Sequence, residues 1–295
     1  MTLPSALGCS TISFQHLPLR EALGEIARIG FSQIDLGALP GVCDHVPALL
    51  DSTAIDNVAA DIAASGLSVR SVNGDIGDFN ALEVDRATRD RQLRALLELT
   101  ARIGAPALVL PCGALGHDPI DTEEADLDRI AAELRHAAQL ASDYGVAIWV
   151  ESLHYLRFCY NRERANALHA RLADTNVRPI LDLAHGEASG DSITEIVADW
   201  GRAIAHVHVR DATLGNFNAP FGTGSVDFAQ AVRDLQAIGF TGAWALEMPS
   251  AAYSDSATDS LTPQAQAEKS HIIEQVAATM AALLTTEHSR EGENS

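Results

Sequence analysis

The stretch VAIWVESLHYLRFCYNRERANALHARLADTNVRPILDLAH, residues 146–185, decides the fold. It opens on VAIWVES (146–152), a run apolar on both faces, as in a strand covered from both sides. After the loop HYLRFCYN (154–161) comes an amphipathic segment, NRERANALHARLAD (161–174), and then a second apolar run, RPILDLAH (178–185). Strand, helix and strand in about 40 residues make a parallel βαβ unit.

Outward from this unit the same alternation continues to both ends. Upstream, CSTISF (9–14) precedes PLREALGEIARIG (18–30), whose Leu19, Leu23, Ile26 and Ala27 share one helical face. IDLG (34–37) precedes a helix within 51–66, LSVRSVN (67–73) precedes 87–104, and ALVLP (107–111) precedes 121–145. Downstream, a helix at 191–203 leads to IAHVHVRD (204–211), and 226–239 leads to GAWALEM (242–248) and a last helix near 263–285. Eight such units in 295 residues predict a single (β/α)8 TIM barrel over residues 1–285, with a polar, frayed tail over 286–295. An open doubly wound sheet would want a GxGxxG turn after its first strand, and CSTISFQHLPLR has none. The insertions at 74–85, 113–120, 154–161 and 212–224 all follow strands, which places them on the catalytic face of a barrel.

Composition narrows the function. Apolar residues form 47% of the chain, enough for a large core, and 20 basic against 40 acidic residues leave a net charge of −20. That charge disfavours nucleic acid and anionic membranes as partners. No apolar run is long enough to span a bilayer, the N-terminus does not read as a signal peptide, and Cys9, Cys43, Cys112 and Cys159 form no CxxC pair. Reduced thiols and a cytoplasmic location are expected. The only lysine, Lys269, lies in a helical stretch near the C-terminus, which disfavours Schiff-base and pyridoxal chemistry.

Four polar residues stand at the ends of four successive strands: Glu151, Asp182, His208 and Glu247. Side chains alternate along a strand, so Ala147, Trp149 and Glu151 share a face. So do Ile180 and Asp182, His206 and His208, and Ala243, Ala245 and Glu247. In one register all four polar residues enter the barrel mouth together, the strand 8 alanines making room for Trp149. Three carboxylates in one mouth repel unless a cation joins them. Three carboxylates and one imidazole suit one divalent ion, Mn2+ first, with Co2+, Mg2+, Fe2+ or Zn2+ as alternatives. The competing explanation is that some of the four are buried polar residues bonded to loops.

In this ordered set the chain resembles the xylose-isomerase-like TIM barrels of sugar isomerases and epimerases. The resemblance rests on ESLH (151–154), LDLAH (181–185), HVHVRD (206–211), GTGSVDF (222–228) and ALEMP (245–249) and covers nearly the whole chain. It implies that Glu151, Asp182, His208 and Glu247 hold the metal, that Glu151 and Glu247 are an acid–base pair on opposite substrate faces, and that His185 contacts substrate. Ketose 3-epimerases of the family place a substrate arginine where this chain has Leu214; Arg210, sharing the parity of His208, is placed to replace it. ESLH also departs from the glutamate–proline–asparagine of those epimerases. Its His154 resembles the glutamate–x–x–histidine of inosose isomerases and dehydratases and of C-glycoside deglycosidases.

These branches share removal of a proton beside a carbonyl, giving an enediolate. Reprotonation gives an isomer or epimer; loss of a β-substituent makes a lyase or dehydratase acting on a keto-sugar, inosose or 3-keto C-glycoside. Glu151, Glu247 and His154 are the candidate bases, and His154 in that role should titrate near neutrality. His185, Arg210 and Asn73 are the candidate substrate contacts, His206 a hydrogen-bonded core histidine, and Asp211 an orienting group for His208 or a loop. The partner expected is a small sugar or keto-sugar, with a second copy of the chain or a small accessory subunit also compatible. Two rival classes are an apurinic-type endonuclease, which would need further histidine ligands on strands 2 to 4, and a non-catalytic sugar-binding barrel.

Overall fold

The computed structural model of the chain describes residues 3–248 and 262–286, so the expected tail lies almost wholly outside the described residues. Its strands are β1 (Leu7–Ser10), β2 (Gln33–Ala38), β3 (Ser68–Gly74), β4 (Ala107–Pro111), β5 (Ala147–Glu151), β6 (Arg178–Asp182), β7 (His206–Val209), β8 (Asp211–Thr213), β9 (Asn216–Ala219) and β10 (Ala243–Leu246). All but β8 and β9 close a parallel barrel in the order β1-β10-β7-β6-β5-β4-β3-β2, the single (β/α)8 barrel expected. Around it run α1 (Leu19–Ile29), α2 (Ser52–Ser65), α3 (Arg86–Arg102), α4 (Glu123–Ser142), α5 (Arg162–Leu172), α6 (Leu183–Ser189), α7 (Ile193–Trp200), α8 (Phe228–Ala237) and α9 (Pro263–Thr286). No described helix is long and apolar enough to cross a membrane.

The helices start where side-chain oxygens can take up their free N–H groups. Asp51, Asp85, Thr122, Asn161, Ser192 and Asp227 each accept a bond from the first turn of α2, α3, α4, α5, α7 and α8. Apolar faces of the helices and the outward faces of the strands form one large core. A second, smaller core fills the barrel: Ala107, Val109, Trp149, Ile180 and Ala205. Trp149 is buried in this inner core, while Ala243 and Ala245 lie on β10, three places round the barrel from β5.

Two elements were not legible in the sequence. Asp182 caps α6, a short helix that begins directly at the end of β6. The segment 212–224 carries the antiparallel hairpin β8–β9, turned through Leu214 and Gly215, whose φ of +78° suits glycine. Asp211 organises this insertion rather than His208: its carboxylate accepts bonds from the N–H groups of Ala212, Gly222, Gly224 and Val226.

Candidate active site

Register brings the four strand-end residues into one mouth. Asp182 lies level with His208, His208 with Ala245 two residues before Glu247, and Glu151 with Ile180 two residues before Asp182. Ligating atoms of Glu151, Asp182 and His208 lie within 4.8 Å of one another. Glu247 joins through Oε2, 3.4 Å from His208 Nδ1, while Arg210 binds its other oxygen. The Glu151 Oε1–His208 Nδ1 distance is 3.7 Å.

Asp182 divides its work. Oδ1 accepts from the N–H groups of Ala184 (2.7 Å) and His185 (3.2 Å) at the start of α6. Oδ2 is left facing the mouth. Asp182 Oδ2, His208 Nδ1 and Glu247 Oε2 are all buried without a hydrogen-bond partner among the described residues. Buried polar atoms are ordinarily satisfied, so three orphans converging beside a third carboxylate, Glu151, fit a site for a divalent cation.

Charge is unevenly held in this cluster. Burial opposes ionisation of Glu151, but His208, His154 and His185 outweigh it and hold the carboxyl below the usual range. Burial raises the Asp182 pKa against the pull of Arg210, and the neighbouring Glu151 adds to the rise. For His208 burial lowers the pKa, but the hydrogen bond to Asp35 and the nearby negative charges of Asp35 and Glu151 overcome it and lift the imidazole to about 10.

Above the carboxylates lies a layer of rings. His154 sits 3.8 Å from His185, ring centroid to centroid, and Phe217 of β9 stacks on His185 at 4.8 Å. His185 Nδ1 accepts the Tyr155 N–H, leaving Nε2 3.8 Å from Glu151 Oε1. His154 Nδ1 accepts the Leu156 N–H. Burial, reinforced by their mutual repulsion for His154, lowers both imidazoles to about 3. Titration near neutrality, the behaviour expected of His154 in the role of base, is opposed by its surroundings: burial, His185, Arg157 and Arg210 all penalise the charged imidazole.

A cavity of about 460 Å3 is lined by Glu151, His154, His185, Arg210, Glu247 and Asn73 among others. A larger one of about 640 Å3 lies between α1 and α9, away from these groups. Glu151, His154, His185, Arg210, Glu247 and Asn73 thus share one cavity, and Asp182 and His208 adjoin it at Glu151. Leu214, at the position of the family arginine, is 75% exposed on the hairpin turn, whereas Arg210 is buried. Asp75 is engaged by Arg157 and the Gly77 N–H.

Sequence reasoning missed two residues. Phe217 rides on a hairpin that left no strand signal. Asp35 lies 1% exposed inside the barrel and is bonded through Oδ2 to His206 Nε2 (2.5 Å) and His208 Nε2 (3.1 Å). Its signal was present, a lone carboxylate between Ile34 and Leu36 in an otherwise apolar strand. The same contact makes His206 the hydrogen-bonded core histidine expected.

Known proteins share the fold of this chain. Among solved structures the chain is similar to the apo form of 3-keto-D-glucoside 4-epimerase, YcjR, from E. coli (22% identity, 92% of this chain and 100% of that one, TM-score 0.69). It is also similar to an L-ribulose 3-epimerase (20%, 100% and 99%, 0.77) and to the IolI protein with a bound zinc atom (17%, 95% and 99%, 0.73). At these identities the likeness is one of fold. No curated protein sequence matches significantly. The model of one family, described as xylose isomerase-like TIM barrel, matches residues 23–273, and the chain belongs to that family.

Proposed function

We propose that the chain is a divalent-metal-dependent sugar isomerase or epimerase that removes a proton beside a carbonyl. The observation that carries this reading is the convergence of Asp182 Oδ2, His208 Nδ1 and Glu247 Oε2, buried and unpartnered, next to Glu151. Glu151, Asp182, His208 and Glu247 would hold the cation, with manganese the first choice among ions accepting carboxylate oxygens and one imidazole. Bound there, it supplies Lewis-acid polarisation of a substrate carbonyl and its neighbouring hydroxyl.

The chain's own residues do the rest. Glu151, held ionised, is a proton acceptor on one side of the mouth, and Glu247 faces it across β6 and β7. A proton taken by one carboxylate and returned by the other inverts a carbon. His154 and His185, uncharged at neutral pH, offer substrate hydroxyls neutral hydrogen-bonding atoms. Arg210 and Asn73 line the same cavity as substrate contacts, and Phe217 closes one side of it against water. The named relatives act on a keto-glucoside and on a ketose, which supports a small sugar or keto-sugar as substrate. Four free, buried thiols support a reducing, cytoplasmic setting.

The test is a panel of ketoses, 3-keto glycosides and inososes in deuterium oxide with the Mn2+-loaded protein. Deuterium should enter a carbon of the product, and chelation should abolish turnover. Full activity after chelation, or in Asp182→Asn with its metal lost, would overturn the reading. Product analysis separates reprotonation from loss of a β-substituent, the lyase alternative.

A further inference from the structure

Both ring nitrogens of His208 face carboxylates. Nδ1 points at Glu151 and Glu247, and Nε2 lies 3.1 Å from Asp35 Oδ2. An imidazole that ligates through Nδ1 must carry its one proton on Nε2, and that proton needs an acceptor. Asp35 is the acceptor the structure supplies, in a layer where Asp35, His206 and His208 are each 1% exposed or less.

We propose that Asp35 is the positioning residue of the metal centre: accepting the Nε2–H of His208, it fixes both the ring's orientation and the tautomer that leaves Nδ1 free for a divalent cation. The inference rests on the metal-site reading above.

Asp35 is itself held from three directions. His206 Nε2 donates to the same oxygen at 2.5 Å, and the His206 ring stacks on Trp149 with centroids 5.8 Å apart. The β2–β3 ladder shifts register between Ile34 and Asp35, so that Ile34 pairs Val69 and Asp35 pairs Ser71, leaving Arg70 as the extra residue. Such a bulge re-aims a side chain. The Arg70 guanidinium lies 5.0 Å over the Trp149 ring, inside the barrel, where its charge favours the Asp35 carboxylate. Asp35 is thus a buried anion with two imidazole donors and a cation nearby, and its fixed place sets the height and angle of His208.

A second cation held by Asp35, His206 and His208 is the competing arrangement, since their ligating atoms also lie within 4.8 Å of one another. It is disfavoured because both Nε2 atoms already sit at hydrogen-bond distance from one oxygen and Arg70 adds positive charge.

The experiment measures metal binding, not turnover. Calorimetric titration with Mn2+ should give one ion per chain, and Asp35→Asn should weaken its Kd about 10- to 100-fold, the usual cost of losing such a partner. Nitrogen-15 NMR of the Zn2+-loaded wild-type protein should show His208 protonated at Nε2, with that proton shifted far downfield. This second readout needs no variant and stands if Asp35→Asn fails to fold. A merely structural role would lower the Tm of Asp35→Asn and leave Kd within twofold, and that outcome overturns the proposal. So does an Nδ1-protonated His208, or two ions per chain. If the wild-type protein binds no divalent ion, the metal-site reading itself fails, a result distinct from an unaltered Kd in the variant.

Discussion

Loading the centre with metal should release a proton from His208, and affinity should therefore climb with pH. The perturbation is pH alone. Without a cation, burial disfavours the charged ring, but the bond to Asp35 and the carboxylates of Asp35 and Glu151 prevail and lift its pKa from 6.5 to about 10. At pH 7 the ring is then protonated on both nitrogens, and a cation must displace the Nδ1 proton. The gap between pH 7 and a pKa of about 10 corresponds to about a thousandfold weakening of the intrinsic affinity. Affinity should recover about tenfold per pH unit from pH 7 to 9, with close to one proton released per ion. Stability without metal should run the other way. A raised folded-state pKa contributes fully below the unfolded value of 6.5 and is lost as pH rises towards 10. The assay is Mn2+ titration by calorimetry in buffers of different ionisation enthalpy, with thermal melts of apo and loaded protein alongside. An affinity flat between pH 7 and 9, with no proton released, would refute the reasoning.

His154→Ala should raise KM and retain most of the turnover. Because burial and His185 lower the His154 pKa to about 3, any acid limb between about pH 5 and 8 should persist in the variant; a pH–rate profile in which the limb vanishes would restore His154 as the titrating base. Phe217→Ala removes a ring stacked on His185 and lying 5.4 Å from the Arg210 guanidinium. Contacts of this kind are worth about 0.5–1.5 kcal/mol, so kcat/KM should fall about two- to tenfold with Mn2+ affinity unchanged.

The barrel and its four ligand candidates were written in local patterns. Apolar runs alternating with helical periodicity name a parallel sheet, and strict two-residue alternation puts Glu151, Asp182, His208 and Glu247 on inward faces before any coordinates exist. Motif order then named the family. Parity along one strand could not say what a residue meets across the barrel. Asp35 and His208 are 173 positions apart, and their contact depends on barrel closure and on a one-residue bulge at Arg70. The surroundings that lower the His154 pKa were hidden for the same reason: an imidazole's charge responds to burial and to His185, 31 positions on, neither of which a loop sequence encodes. Phe217 reached the site only because Leu214 and Gly215 reverse the chain after β8. Sequence by itself determined which residues could point inward, because side-chain alternation is a property of the strand. Tertiary structure alone decided which of them meet, because barrel stagger, bulges and loop reversals set distances between residues that no local period relates.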